Sequence, residues 1–151
     1  MEWTLNIQHP TSNIECGRRF APIFLKVMKI KNPKYDLENR LLEYSSTVIR
    51  IVEKLPNNRA GNHVADQLVR SGTSPYANHG EAQAAESSKD FIHKMRICLK
   101  ELRESKRWLK LIQRVPLVKS PDSVDNFLSE TEELIKIFVT SIRTAEKNIE
   151  K

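Results

Sequence analysis

The chain has 151 residues, 39% of them apolar and 29% charged, with 25 Lys and Arg against 19 Asp and Glu. That length suits a single domain with a substantial core, and the apolar content excludes wholesale disorder. No stretch approaches the ~18 consecutive apolar residues of a membrane helix. The start lacks the basic segment and apolar run of a signal peptide, and Cys16 and Cys98 allow one disulfide at most. A cytoplasmic protein with no membrane partner is expected.

Residues 1–34 combine turn formers (His9, Pro10, Ser12, Asn13) with a short β-prone run at 23–30 that contains Met28. They read as an N-terminal tail, either mobile or an upstream extension from a misassigned start. The competing reading is a short strand that docks on a partner or neighbouring subunit.

Residues 35–151 read as one all-α unit. Leu37, Leu41, Tyr44, Val48, Ile51 and Leu55 alternate spacings of four and three, one face of a helix, with Asp36 as its N-cap and Pro56 as its stop. A second helix is predicted from about Asn58 to Ala85, with Val64 and Leu68 facing inward. Pro75 is expected to kink or break it near Ser71. A third helix, capped by Ser87 or Ser88, carries Phe91, Met95, Cys98, Leu102, Ser105, Leu109 and Ile112 on its seam. After Ser120 as cap and Pro121 at the first helical position, Val124, Leu128, Thr131, Ile135, Phe138, Ile142, Ala145 and Ile149 repeat the pattern. Short connections force each helix to return against the last. The predicted architecture is an antiparallel, up-down-up-down four-helix bundle.

Apolar residues also flank these seams: Leu42 and Ile49 in the first helix, Ile92, Leu99, Trp108 and Leu111 in the third, and Phe127, Leu134 and Ile137 in the fourth. They widen either the core face or a subunit interface.

Charge is unevenly spread. Residues 88–114 hold nine basic and three acidic residues, a surplus of +6 equal to that of the whole chain. Within them His93, Arg96, Lys100, Arg103, Arg107, Lys110 and Arg114 follow helical spacing on the side opposite the seam. Six permanent cations in line suit a surface that tracks phosphates, as in an RNA-binding or DNA-binding protein. The alternative is a salt-bridged outer face, with Glu101 and Glu104 beside it and Asp122, Asp125 and Glu132 reaching across from the fourth helix. Trp108 is the one tryptophan on that helix, so a stacking platform for single-strand bases is not expected.

No phosphate-binding glycine loop and no HExxH spacing occur, and Cys98 falls on the core seam. The expectation is no catalytic residue, no metal and no cofactor.

The run from Ala65 to His93 resembles the four-helix-bundle proteins called 23S rRNA intervening-sequence proteins. Their signature of Gln-Leu-x-Arg-Ser, Ser-x-x-Ala-Asn-x-x-Glu and Ser-x-x-(Asp/Glu)-Phe falls here on Gln67, Leu68, Arg70, Ser71, Ser74, Ala77, Asn78, Glu81, Ser87, Asp90 and Phe91. The resemblance extends over about residues 34–149. Pro75 and His79 depart from it, standing where many members carry aliphatic residues. The resemblance implies a bundle, no enzymatic activity and a homo-oligomer, most specifically a pentamer. A related group serves reverse transcriptases as accessory proteins, so a reverse transcriptase or another acidic protein is an alternative partner to RNA or DNA. Arg70, Ser74, Asn78 and Glu81 form the polar part of the signature. They read either as a ligand pocket or as groups that repair the backbone around Gly72 and Pro75 and fix helix packing.

Overall fold

The structure, a computed structural model, describes residues 36–115, 117 and 122–150. Four helices account for nearly all of them: α1 (Leu37–Val52), α2 (Arg59–Gln83), α3 (Ser88–Arg114) and α4 (Asp122–Ile149). The predicted tail and the Ser120–Pro121 cap lie outside the described residues. Three starts are capped by side chains, Asp36 and Ser87 as the sequence pointed to and Asn58 in addition. Asp36 accepts from the amide of Asn39 at 3.2 Å, Asn58 from Gly61 at 2.8 Å and Ser87 from Asp90 at 3.1 Å. Each satisfies an amide that the helix itself leaves open. α1 ends at Val52, ahead of Pro56, because the amides of Lys54 and Leu55 turn back three residues to Ile51 and Val52.

Cross-helix contacts run in opposite directions along each pair, which makes the bundle antiparallel. Between α2 and α3, Glu81 meets Lys94, Pro75 meets Cys98, and Ser71 meets Ser105. Between α3 and α4, Arg96 meets Glu146 and Lys106 meets Glu132. α4 then returns to α1, where Arg40 donates three hydrogen bonds of 2.8–3.0 Å to the Glu130 carboxylate. Tyr44 stacks on Phe127 with ring centroids 4.6 Å apart beside that ion pair.

The predicted seams largely face inward, but on α4 the buried line runs through Phe127 and Leu134, with Leu128, Ile135 and Ala145 half-buried and Ile149 exposed. Leu41, Val48, Leu68, Met95, Cys98, Leu102, Leu109, Ile112, Val124 and Phe138 are completely buried. The flanking set divides: Ile92, Phe127 and Leu134 belong to the core, whereas Leu42, Ile49 and Leu111 remain exposed. α4 therefore uses a wider apolar face than its strict seam, as a helix held between two neighbours requires.

The core also contains a polar layer. Tyr44 of α1 and Thr131 of α4 share a hydrogen bond of 3.2 Å, and Thr131 passes its own proton to the Phe127 carbonyl at 2.7 Å. Ser105 of α3 lies 3.0 Å from the Ser71 hydroxyl of α2, which donates to the Gln67 carbonyl at 2.9 Å. All four residues are buried. Burial pushes the Tyr44 phenol up to about 12, against the opposing effect of its bonds to Thr131 and Ser105. No described buried side-chain nitrogen or oxygen is left without a partner.

The break expected at Pro75 does not occur, since α2 is one helix from Arg59 to Gln83. Proline removes only the amide that would bond to the Ser71 carbonyl. Tertiary contacts hold the turns on either side: the Cys98 thiol lies 3.5 Å from the Pro75 carbonyl, and the Ser45 hydroxyl lies 3.5 Å from that of Gly72. His79 is buried as well and sets its ring edge-on to Phe138, 6.3 Å between centroids. Its Nε2 faces the Gln83 amide nitrogen at 3.1 Å, so that amide donates to an unprotonated ring nitrogen.

Gly72 of α2 lies directly against Val48 of α1. A Cβ there would lie 2.5 and 2.8 Å from the two methyls of Val48, a buried and rotationally stiff side chain. Gly72→Ala is expected to destabilise the bundle by about 1–2 kcal/mol, as overpacking outweighs the gain in helix propensity. Adding Val48→Ala should make the glycine substitution nearly neutral, measured by denaturant unfolding in a double-mutant cycle.

Burial lowers the pKa of His79 below its ordinary value, opposed in part by the charges of Glu38 and Asp36. The unfolded chain therefore takes up a proton that the folded chain refuses. The contribution of His79 is complete above pH ~6.5 and is lost as pH falls below it. Unfolding measured from pH 8 to 5 should show wild type losing up to ~1.4 kcal/mol per pH unit more than His79→Leu below pH ~6.5.

Candidate nucleic-acid interface

Three α3 residues, Cys98, Leu102 and Ser105, are locked into the core. At about 100° per residue, this orientation turns the side chains two positions before and after Ser105 outward. Arg96, Lys100, Arg103, Arg107, Lys110 and Arg114 are all exposed, as is His93. From Lys100 to Arg114 the line extends about 21 Å along the helix.

The cations of α3 fall into two groups. Lys94 pairs with Glu81 at 2.5 Å, Arg96 with Glu146 at 2.6 Å and Lys106 with Glu132 at 2.7 Å. The Lys94 and Lys106 pairs lie along the flanks, where α3 meets α2 and α4, whereas Arg96, one heptad from Arg103, is a paired member of the stripe itself. The hydrogen bond from Lys106 holds the Glu132 carboxyl below its ordinary range, and the Lys106 charge, with Lys110 and Lys136 contributing less, adds to that effect. By contrast, Lys100, Arg103, Arg107, Lys110 and Arg114 make no ion pair with any described residue.

The salt-bridged alternative therefore applies to the edges and to Arg96 at the N-terminal end of the stripe, and not to the line from Lys100 to Arg114. Glu101 and Glu104 pair with none of these cations, and Glu104 instead accepts from the Trp108 indole at 3.4 Å. Asp125 is taken up by the Gln113 amide. Trp108 is half-buried, with its ring against His63 at 5.8 Å, so it offers no free face for a stacked base. Lys106, absent from the predicted stripe, proves to be one of the pairing cations. The matching of its position to Glu132 across antiparallel helices was the available signal.

The polar signature residues are not gathered into one site. Asn78 donates to the carbonyl and hydroxyl oxygens of Ser74, both at 3.0 Å, one turn back on α2. Glu81 turns away to Lys94, and Arg70 is exposed with no ion pair to a described residue. Asn78 does not reach the Ser71 carbonyl that Pro75 leaves open. Its hydrogen bonds stay within its own helix. Among the described residues, no group of three or more His, Cys, Asp or Glu is placed to hold a metal ion, and no helix is long and apolar enough to cross a membrane.

Comparison with known proteins places this arrangement in a lineage. The profile of the 23S rRNA-intervening sequence proteins matches residues 34–140. The chain belongs to that family. A crystal structure of a protein of unknown function from the S23 ribosomal protein family of Bacteroides thetaiotaomicron is similar to it. The two share 30% identity and a TM-score of 0.65, over 70% of this chain and 96% of the other. No functionally curated protein matches the sequence.

The two groups of cations differ in their expected effect on stability. Arg103→Ala and Arg107→Ala should each change unfolding free energy by less than about 0.5 kcal/mol. Arg40→Ala, which breaks the bidentate bond to Glu130 between α1 and α4, should cost about 1 kcal/mol or more. Thermal or denaturant melts of the three variants check this.

Proposed function

We propose that the protein is a non-enzymatic nucleic-acid-binding bundle that holds RNA or DNA through backbone phosphates on the outer face of α3. The observation that carries this reading is the unneutralised line Lys100, Arg103, Arg107, Lys110 and Arg114, set between flanks whose cations are already paired. Fixed Arg forks and Lys point charges suit phosphate oxygens and release bound counterions. Such contacts position a nucleic acid without reading its bases. The family name makes structured RNA the first ligand to try. Self-association, which the family resemblance extends to a ring of five, would repeat the stripe once per copy and raise avidity.

Fluorescence anisotropy with a structured RNA and a duplex DNA, titrated across a salt series, tests the reading. Wild type should bind both, with log affinity falling against log salt at a slope of about −4 if five phosphates are contacted. Lys100→Glu/Arg103→Glu/Arg107→Glu/Lys110→Glu should abolish binding, while Lys94→Gln/Lys106→Gln should change the slope by less than about one. Failure of wild type to bind at low salt overturns the proposal. Capture of an acidic protein by the same four cations, with no nucleic-acid binding, would assign the stripe to a protein partner.

A further inference from the structure

Two ion pairs between α3 and α4 bound a stretch of their joint surface that holds no carboxylate. Arg96 meets Glu146 at one end, and Lys106 meets Glu132 at the other. Residues 134–145 of α4 contain neither Asp nor Glu. The two acids of α3 within the stretch belong to its other side. Glu101 is one heptad from Lys94, which reaches α2, and Glu104 accepts from Trp108, whose ring lies against His63 of α2. Lys100 and Arg103 thus face α4 across a surface without counter-charge.

α4 adds a cation of its own to this stretch. Lys136 is held by Glu133 at 2.9 Å, but Arg143 is exposed and has no ion pair with a described residue. The contacts of its neighbours fix its place. Glu132, eleven residues earlier, and Glu146, three residues later, both reach α3. At ~100° per residue, Arg143 lies about 20° from Glu132 and about 60° from Glu146, on the same edge of α4. Counting three residues back from Glu146 and three forward from Arg96 sets it level with Leu99. It is therefore one residue in height from Lys100 and about 6 Å along the axis from Arg103.

Lys100, Arg103 and Arg143 accordingly converge from two helices, whose axes are about 8–10 Å apart in such packing. A phosphate presents oxygens in several directions, and cations on two sides of it engage more of them than a single row can. Beyond this point Arg96 is already taken by Glu146.

We infer that Arg143 is a further phosphate-binding residue, which with Lys100 and Arg103 closes a two-helix seat for one backbone phosphate at the N-terminal end of the unpaired line. The inference rests on the phosphate-binding reading of α3 and extends it to a second helix.

Anisotropy titrations of the structured RNA across a salt series test it. The variants are Arg143→Gln, Arg143→Lys and, as an exposed and unpaired cation of α1, Arg50→Gln. Arg143→Gln should weaken binding about fivefold or more and make the salt slope shallower by about one. Arg143→Lys should keep the wild-type slope, and Arg50→Gln should change neither slope nor affinity. Thermal melts of all three should match wild type, which separates a lost contact from a lost fold. RNA binding that needs the α3 cations but ignores Arg143→Gln, or that falls equally with Arg50→Gln, overturns the inference and leaves the α3 reading in place. Absence of binding by wild type overturns both.

Discussion

At mid-height in the bundle every helix turns a hydroxyl inward: Tyr44 and Ser45 from α1, Ser71 from α2, Ser105 from α3 and Thr131 from α4. A buried hydroxyl deprived of its partner costs about 1–3 kcal/mol. Ser71, Ser105 and Thr131 also donate to carbonyls of their own helices, so it is Tyr44, bonded across to Thr131, that a slide of α1 against α4 would orphan. Apolar side chains tolerate such shifts more readily, because dispersion contacts have little direction. The Tyr44–Thr131 bond thus favours one register of α1 against α4 among those that the heptad pattern allows. Holding Ser105 inward also sets the rotation of α3, and with it the outward direction of Arg103 and Arg107.

Most of the architecture was legible in the residues. The four-and-three spacing found Leu41, Val48, Met95, Leu102 and Phe138 because amphipathic helices in a bundle have one solution for their apolar face. Capping chemistry found Asp36 and Ser87 because short oxygen-bearing side chains suit those positions. Pro75 does not break α2, because the loss of one hydrogen bond is a local term and the packing around Cys98 and Ser45 outweighs it. His79 stands where many family members carry aliphatic residues and is a core residue, its ring edge-on to Phe138 and its Nε2 beside the Gln83 amide, partners that no linear pattern encodes.

The stripe was legible as a line of charges, but its division into paired and unpaired members was not. Pairing depends on which carboxylates the antiparallel register brings alongside. Glu81, Glu132 and Glu146 are far from α3 in sequence or on another helix; the first two meet Lys94 and Lys106 at its flanks, and Glu146 takes up Arg96 at the N-terminal end of the stripe. What remains is a narrow, straight, uncompensated ridge of charge with ion-paired margins. Such margins confine the positive potential to the ridge and favour a thin polyanionic strand or groove edge over a broad acidic surface. Like-charge repulsion along the ridge is a standing cost that the apolar core sustains, and a phosphate backbone bound there would relieve it.

The most direct test of this account is a lysine footprint. Acylation of the folded protein by a water-soluble active ester, with and without saturating structured RNA, can be read at each lysine by mass spectrometry. Protection of Lys100 and Lys110, with Lys94, Lys106 and Lys136 unchanged, is the result the account predicts. Uniform protection of all five, or no protection at Lys100 and Lys110 in a complex that demonstrably forms, would contradict it.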